Sequence, residues 1–271
     1  MRARRLPGVL ALLTAGAVAL TGCGAAPAEA AFQAIPAAAG ALAARPATAP
    51  VTATEPVIAP TKKLKLGAKG KAVVWLQKRL RELGYRPGKI DGRYGGTTLA
   101  AVWAFQKVNG ITPTSTIGKT TWRALEQPKL PKVLAKNGRR TRAEVNLSKQ
   151  IMTLYVDGEL KLISHMSSGS GVPYCETTVW QGKEQRFCGS ASTPTGSFKT
   201  TWRRDGWHKS YLGELYNPIF FNGGIAFHGA LSVPLYPASH GCVRLPMNVA
   251  EELPGLLGTG VPVHVRGKFR R

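Results

Sequence analysis

Two histidines, a cysteine and an arginine crowd one short stretch of this chain. His228-Gly229 is followed by Ser239-His240-Gly241-Cys242-Val243-Arg244. A thiol becomes a useful nucleophile when a nearby base or positive field raises its thiolate fraction. Histidine can do this near neutral pH. Gly241 lets the backbone pass close to a substrate and leaves amide N–H groups able to point at an oxyanion. Arg244 can clamp an anion. The stretch therefore holds a nucleophile, two candidate bases, oxyanion donors and a cation. His228, His240 and Cys242 could instead bind zinc, but a zinc site needs a fourth ligand or an open position, and this spacing matches no common site. No metal and no cofactor is expected.

Counting cysteines sharpens this reading. The chain has 4. Cys175 and Cys188 lie symmetrically about Gln181-Gly182, so a hairpin turning there sets them opposite each other, as a disulfide requires. Cys23 closes an N-terminal signal. Arg2, Arg4 and Arg5 form a positive start, Leu6 to Leu20 an apolar run, and Leu20-Thr21-Gly22-Cys23 follows. The run has the length of a signal-peptide core and is short for a membrane span. The last four residues resemble the lipobox of bacterial lipoproteins, whose Cys becomes the lipidated first residue. Ala28-Glu29-Ala30 is the alternative, an ordinary cleavage site. Either way the protein is exported to the cell envelope, anchored by lipid on the outer face of the membrane or secreted to the wall. Cys242 is then left alone, and a lone thiol in an exported protein invites a functional explanation.

The elements that must position these residues come in order along 271 residues. Residues 1–23 are the signal. Residues 24–62, rich in Ala and Pro, read as a semi-extended tether. In residues 63–127 the apolar spacing is helical. Val73, Leu76, Leu80 and Leu83 share one face before Gly84, Leu99, Val102 and Phe105 sketch a second helix before Gly110, and Trp122 and Leu125 fit a third. Residues 128–141 are a Pro- and Lys/Arg-rich linker. From 142 to 267 the period becomes two, with Asp157-Gly158 as a hairpin turn and only Met247 to Leu257 helical. The fold expected is two domains, a small three-helix domain followed by a mostly β domain.

Lys and Arg number 37 against 14 Asp and Glu, a net charge of +23. Such a field attracts polyanions. Anionic wall polymers and lipid headgroups are candidates. Nucleic acid is not expected, since no basic helix with interleaved stacking aromatics and no zinc-finger spacing occurs.

Two resemblances tie the parts together. Leu76-Gln77, Leu83-Gly84-Tyr85, Asp91-Gly92, Ala101-Val102 and Phe105-Gln106 are similar to the three-helix peptidoglycan-binding domain of many wall enzymes. His228-Gly229 with Ser239-His240-Gly241-Cys242-Val243-Arg244 resembles the signature of L,D-transpeptidases, which cross-link peptidoglycan stem peptides. Asn146-Leu147-Ser148, Leu154-Tyr155, Thr193-Pro194-Thr195-Gly196-Ser197-Phe198 and Gly258-Thr259-Gly260-Val261-Pro262-Val263 agree with it.

The resemblance implies that Cys242 forms a thioester with the diamino acid of one stem, releasing D-alanine, and that the diamino acid amine of a second stem accepts it. It implies that His228 is the base, oriented by a backbone carbonyl near Gly229, and that the amides of Gly241 and Cys242 form the oxyanion hole. His240, Ser239 and Arg244 would shape the pocket. Tyr216, Phe220 and Phe221 are candidates for its walls, and His208 reads as a surface residue. The Cys175 to Cys188 segment departs from the pattern as an inserted hairpin. A hydrolase that lets water take the thioester is one alternative. A non-catalytic wall-binding lipoprotein is another.

Overall fold

The computed structural model describes residues 57–269. The signal, the Cys23 lipobox and most of the tether lie outside the described residues.

Helix α1 (Lys71–Glu82) turns one apolar edge inward, burying Val73, Leu76 and Leu80. It stops where Gly84 takes φ 86° and Tyr85 N–H returns to the Leu80 carbonyl at 2.9 Å. Helix α2 (Gly96–Asn109) is buried on most of its surface, with Leu99, Ala101, Val102, Ala104, Phe105 and Val108 inside. Such a helix must be covered on two sides. It packs on α1 and on a strand of the β domain. Gly110, in the left-handed conformation, caps it. Helix α3 (Lys119–Glu126) contributes Trp122 and Leu125. Trp122 meets Trp75 edge-on, at 5.7 Å between centroids, and its indole donates to the Lys62 carbonyl at 3.0 Å.

The β domain follows as β1 (Arg142–Asn146), β2 (Ile151–Val156), β3 (Glu159–His165), β4 (Pro173–Trp180), β5 (Lys183–Ser190), β6 (Gly196–Lys199), β7 (Trp207–Ser210), β8 (Gly213–Asn222), β9 (Ile225–Gly229), β10 (Val243–Leu245), helix α4 (Met247–Leu256) and β11 (Pro262–Arg266). A five-stranded sheet has the order β3-β2-β1-β11-β6, and a four-stranded sheet the order β10-β9-β8-β7. Their inner faces share one core. Ala143, Val145, Met152, Leu154, Leu162, Val263 and Val265 come from the first sheet, and Ile219, Phe221, Phe227, Val243 and Leu245 from the second, with Val249 and Leu253 of α4 closing it. Each such side chain larger than Ala contributes ~1.5–3 kcal/mol by leaving water. β4 and β5 form a separate hairpin. Cys175 and Cys188 face each other across it and form a disulfide with S–S 2.04 Å.

The helical domain is bolted to the first sheet. β3 alternates, so Leu162 enters the β core while Ile163 joins Tyr85 and Phe105 in the helical core. Ile163 N–H donates to the Gly84 carbonyl at 3.0 Å. Arg86 pairs with Glu252 of α4, one contact being 2.8 Å, and Asn248 donates to the Arg86 carbonyl at 3.0 Å.

Candidate active site

The parallel pair β9 and β10 sets His228 beside Arg244 and Phe227 beside Val243. The chain between these strands carries the rest of the motif. His228, Ser239, His240, Gly241, Cys242 and Arg244 all line one cleft of about 750 Å³. His228 and Cys242, 14 apart in sequence, thus share the cleft because Cys242 immediately precedes β10, whose first residue, Val243, pairs with Phe227 next to His228.

His228 is buried, and its Nδ1 lies 2.9 Å from the Gly229 carbonyl oxygen. Nδ1 must donate there, which leaves Nε2 as the lone-pair nitrogen. Burial, with help from the Arg244 cation, pushes the imidazole pKa down to about 4. Burial also raises the Cys242 thiol pKa, against the opposing pull of Arg244 and a backbone hydrogen bond. At neutral pH the pair is therefore thiol and neutral imidazole. Cys242 is the free cysteine among the described residues, and its Sγ contacts the Gly224 carbonyl at 3.6 Å.

Backbone needs explain two glycines. Gly241 has φ 141°, and a Cβ there would stand 3.1 Å from the Ser192 carbonyl oxygen. Gly229 has no room, since a Cβ would meet Ala250 Cβ at 2.9 Å and Tyr216 Cδ1 at 3.1 Å. Ser239 knots the motif. It accepts from Gly241 N–H at 3.0 Å and donates to the Cys242 carbonyl at 2.5 Å. Thr193 donates to the Gly241 carbonyl at 2.6 Å and accepts from Gly169 N–H at 2.8 Å.

Three expectations are corrected. The Gly241 amide, expected to be an oxyanion donor, is held by the Ser239 hydroxyl, which leaves the Cys242 amide as the other expected donor. Tyr216 and Phe221 do not line the cleft; Phe220 does. Phe221 lies in the core against Phe198 and Phe227. Tyr216 packs on Trp207 and over Gly229. For Phe221 the reason is plain alternation, since Ile219 and Phe221 face the core and Phe220 between them faces the cleft. For Tyr216 it is irregular pairing of β8 with β9 between Tyr216 and Ile219, which takes it off the face of Phe220. His208 is the third. It lines the cleft, edge-on to Trp202 and Phe220.

The hairpin of β4 and β5 supplies what the sequence alone did not reveal. His240 Nε2 is 2.6 Å from Glu176 Oε1, and the Tyr174 ring lies 4.7 Å from the His240 ring. Tyr174 and Trp180 line the cleft with Trp202, Trp207 and Tyr211. The density of aromatics from Trp202 to Tyr211 was the available signal. Nothing local linked Glu176 to a histidine 64 residues away. Among the described residues no three His, Cys, Asp or Glu side chains converge as metal ligands.

Comparison with known proteins bears on both domains. Residues 69–125 match the peptidoglycan-binding domain family, and residues 140–265 match the L,D-transpeptidase catalytic domain. The crystal structure of an L,D-transpeptidase from Xylanimonas cellulosilytica is 37% identical, with a TM-score of 0.65, covering 77% of this chain and 98% of that one. An L,D-transpeptidase from Stackebrandtia nassauensis is 25% identical with a TM-score of 0.43, covering 79% and 98%. An uncharacterized protein of Kitasatospora aureofaciens is 41% identical over 58 residues, 21% of this chain, and the match spans about half (49%) of that protein's length. The breadth and identity of the Xylanimonas match, with the catalytic-domain match over the residues that carry the cleft, mean that the chain belongs to the L,D-transpeptidase family and joins a peptidoglycan-binding domain to a mostly β catalytic domain.

Proposed function

We propose that the protein cross-links peptidoglycan stem peptides through a Cys242 thioester. The observation that carries this reading is the arrangement at β9 and β10. His228 Nδ1 is tied to the Gly229 carbonyl, so the basic nitrogen is Nε2, and His228, Cys242 and Arg244 share one cleft. Cys242 Sγ attacks the carbonyl of the diamino acid of a tetrapeptide stem while His228 Nε2 takes the thiol proton. The bond to the terminal D-alanine breaks, its nitrogen receives that proton, and D-alanine leaves. The side-chain amine of a second stem's diamino acid then attacks the thioester. It gives a proton back through His228 to the sulfur, and a new amide forms. The Cys242 amide steadies the oxyanion, and Ser239 holds the turn. A neutral imidazole suits this role, because it can accept a proton during attack.

The peptidoglycan-binding domain supports a place in the cell envelope. No helix of the described residues is long and apolar enough to cross a membrane. Attachment through a lipidated Cys23 is the proposed anchor, and Cys23→Ala should release the protein from membranes. The helical domain and linker also favour contact with anionic wall polymers. Residues 57–141 hold 19 Lys and Arg against 3 Asp and Glu, whereas residues 142–269 hold 12 against 9.

Mass spectrometry of the pure protein with a tetrapeptide muropeptide tests the mechanism. The expected products are an acyl-enzyme on the Cys242 peptide, free D-alanine and a cross-linked dimer. Tripeptide without dimer would replace the amine acceptor by water. Full cross-linking by Cys242→Ala would end the proposal.

A further inference from the structure

Three polar groups between the helical domain and the cleft, two buried and one half-buried, take no part in the chemistry above. They are Lys107 on α2, His165 at the end of β3, and Gln150 in the turn between β1 and β2. Lys107 Nζ lies 2.8 Å from His165 Nδ1 and donates to the Gln150 carbonyl at 3.2 Å. His165 is 1% exposed, and its Nε2 is 2.9 Å from the Val233 carbonyl oxygen. Trp103 of α2 meets its ring edge-on at 5.4 Å.

The set is self-consistent without charge. Burial pushes Lys107 down to about 7 and, aided by Lys107 itself, His165 down to about 3. A neutral amine has two N–H donors, and Lys107 has two acceptors. A neutral imidazole accepts at one nitrogen and donates from the other, so Nδ1 accepts from Lys107 and Nε2 donates to Val233. Every polar atom named has a partner, as burial requires.

Val233 lies in the segment that joins β9 to β10 and delivers Cys242. That segment is tied at further points to the same region. Ser167 Oγ donates to the Tyr236 carbonyl at 2.7 Å. Ala238 and Ser239 N–H both donate to the Ser168 carbonyl, at 2.9 and 3.0 Å. Ser168 is fixed by the Gln150 side chain, which accepts from its N–H at 2.7 Å and donates to its hydroxyl at 2.9 Å. Gln150 itself stands at φ 52°, a costly conformation for a residue with a side chain, and its hydrogen bonds hold it there.

We infer that Lys107 of the helical domain and His165 form a latch that sets the backbone of the segment carrying Cys242, making both positioning residues for the reaction. The wall-binding domain is then part of the catalytic frame rather than a detachable tether. This inference rests on the proposed Cys242 chemistry. A displaced nucleophile costs turnover more than binding, because small misplacements of reacting groups lose large factors in rate.

The test uses the full chain and D-alanine release from a tetrapeptide muropeptide. A Gln amide nitrogen reaches the place of imidazole Nε2, whereas an Asn amide reaches only the place of Nδ1. His165→Gln should therefore keep the Val233 contact and retain kcat within about twofold, while His165→Asn should lower kcat on the order of tenfold with KM little changed. Lys107→Met removes the donor to the Gln150 carbonyl as well as the partner of His165 Nδ1, a loss that His165→Gln does not make, and should lower kcat to a similar extent as His165→Asn with KM little changed. Melting temperatures identify a folding defect. Losses in His165→Gln and His165→Asn that are equal and track melting would reduce the pair to a structural contact. Wild-type kcat in His165→Asn and Lys107→Met would also overturn the latch. Cys242→Ala, run in parallel, separates the two ideas, since activity in that variant would remove the thioester reading and the latch with it.

Discussion

The resting protonation state of the Cys242 and His228 pair has a direct kinetic consequence. His228 must be neutral to accept a proton, and burial holds its pKa at about 4. Activity should then persist on acidification where an ordinary histidine would already be protonated. We expect kcat/KM for a tetrapeptide to stay level down to about pH 5 and to fall with an acid limb near 4. Arg244 depresses the His228 pKa, so Arg244→Gln should raise it and move the limb to higher pH. A wild-type limb at the unperturbed value of about 6.5 would show that burial does not depress the His228 imidazole, and an acid limb that persists in His228→Ala would show that His228 is not the base. The motif residues were legible because they lie within one short stretch, and residue type and spacing survive any fold. Walls were less legible. Tyr216, Phe220 and Phe221 look alike in the sequence; alternation puts Phe220 and Phe221 on opposite faces, but which face is the core, and the slip that takes Tyr216 off the face of Phe220, are set by the pairing of β8 with β9. The Gly241 amide failed for a similar reason. A neighbouring hydroxyl, Ser239, satisfies it first.

Among the elements, the β4 and β5 hairpin has the clearest separable effect. Its disulfide joins directly opposed residues, and one of its strands reaches His240 through Tyr174 and Glu176. The hairpin belongs to neither sheet, so its order depends on the disulfide and on side-chain contacts such as Phe187 stacked on Tyr211 at 4.2 Å. On the chain-entropy model a loop of this size gains roughly 3 kcal/mol from its cross-link. That gain is local. Cys175→Ser with Cys188→Ser should raise KM severalfold, loosen one wall of the cleft and leave the main melting transition nearly unchanged. Equal KM for the double variant would show that the hairpin does not contribute to substrate binding. Symmetry about Gln181-Gly182 made the hairpin and its disulfide readable. Helices α1, α2 and α3 were readable too, through their spacing and the glycines that end them. The parallel pairing of β1 with β11 was not, because it joins residues more than 100 apart, and no local pattern encodes a partner at that distance.

At the scale of the whole molecule, the charge is divided unevenly. The surplus of 16 cations in residues 57–141 contrasts with a surplus of 3 in residues 142–269. Many of the former are exposed, including Lys62, Lys63, Lys65, Lys69, Lys71, Lys119 and Arg123. The isolated bridge from Lys69 to Arg93 sets two exposed cations side by side at an edge of the helical domain, close in sequence to Lys62, Lys63 and Lys65. Of the salt bridges among the described residues, only those of Arg79 and Arg86 involve a cation of this segment. A polyanion meeting this edge would gain by releasing its counterions, and the gain would shrink as salt rises. Binding to isolated walls that carry anionic polymer should therefore weaken steeply between roughly 50 and 200 mM salt. Replacing Lys62, Lys63, Lys65 and Lys69 by Gln should weaken it at low salt and flatten the salt dependence. D-alanine release from a soluble muropeptide should not change in that variant, since the catalytic domain is close to neutral and none of the four lines the cleft. Walls stripped of the anionic polymer should bind wild type and variant alike. Salt-independent binding of the wild type to polymer-bearing walls would mean that the helical domain recognises peptidoglycan by shape and hydrogen bonding, with its cations serving only solubility.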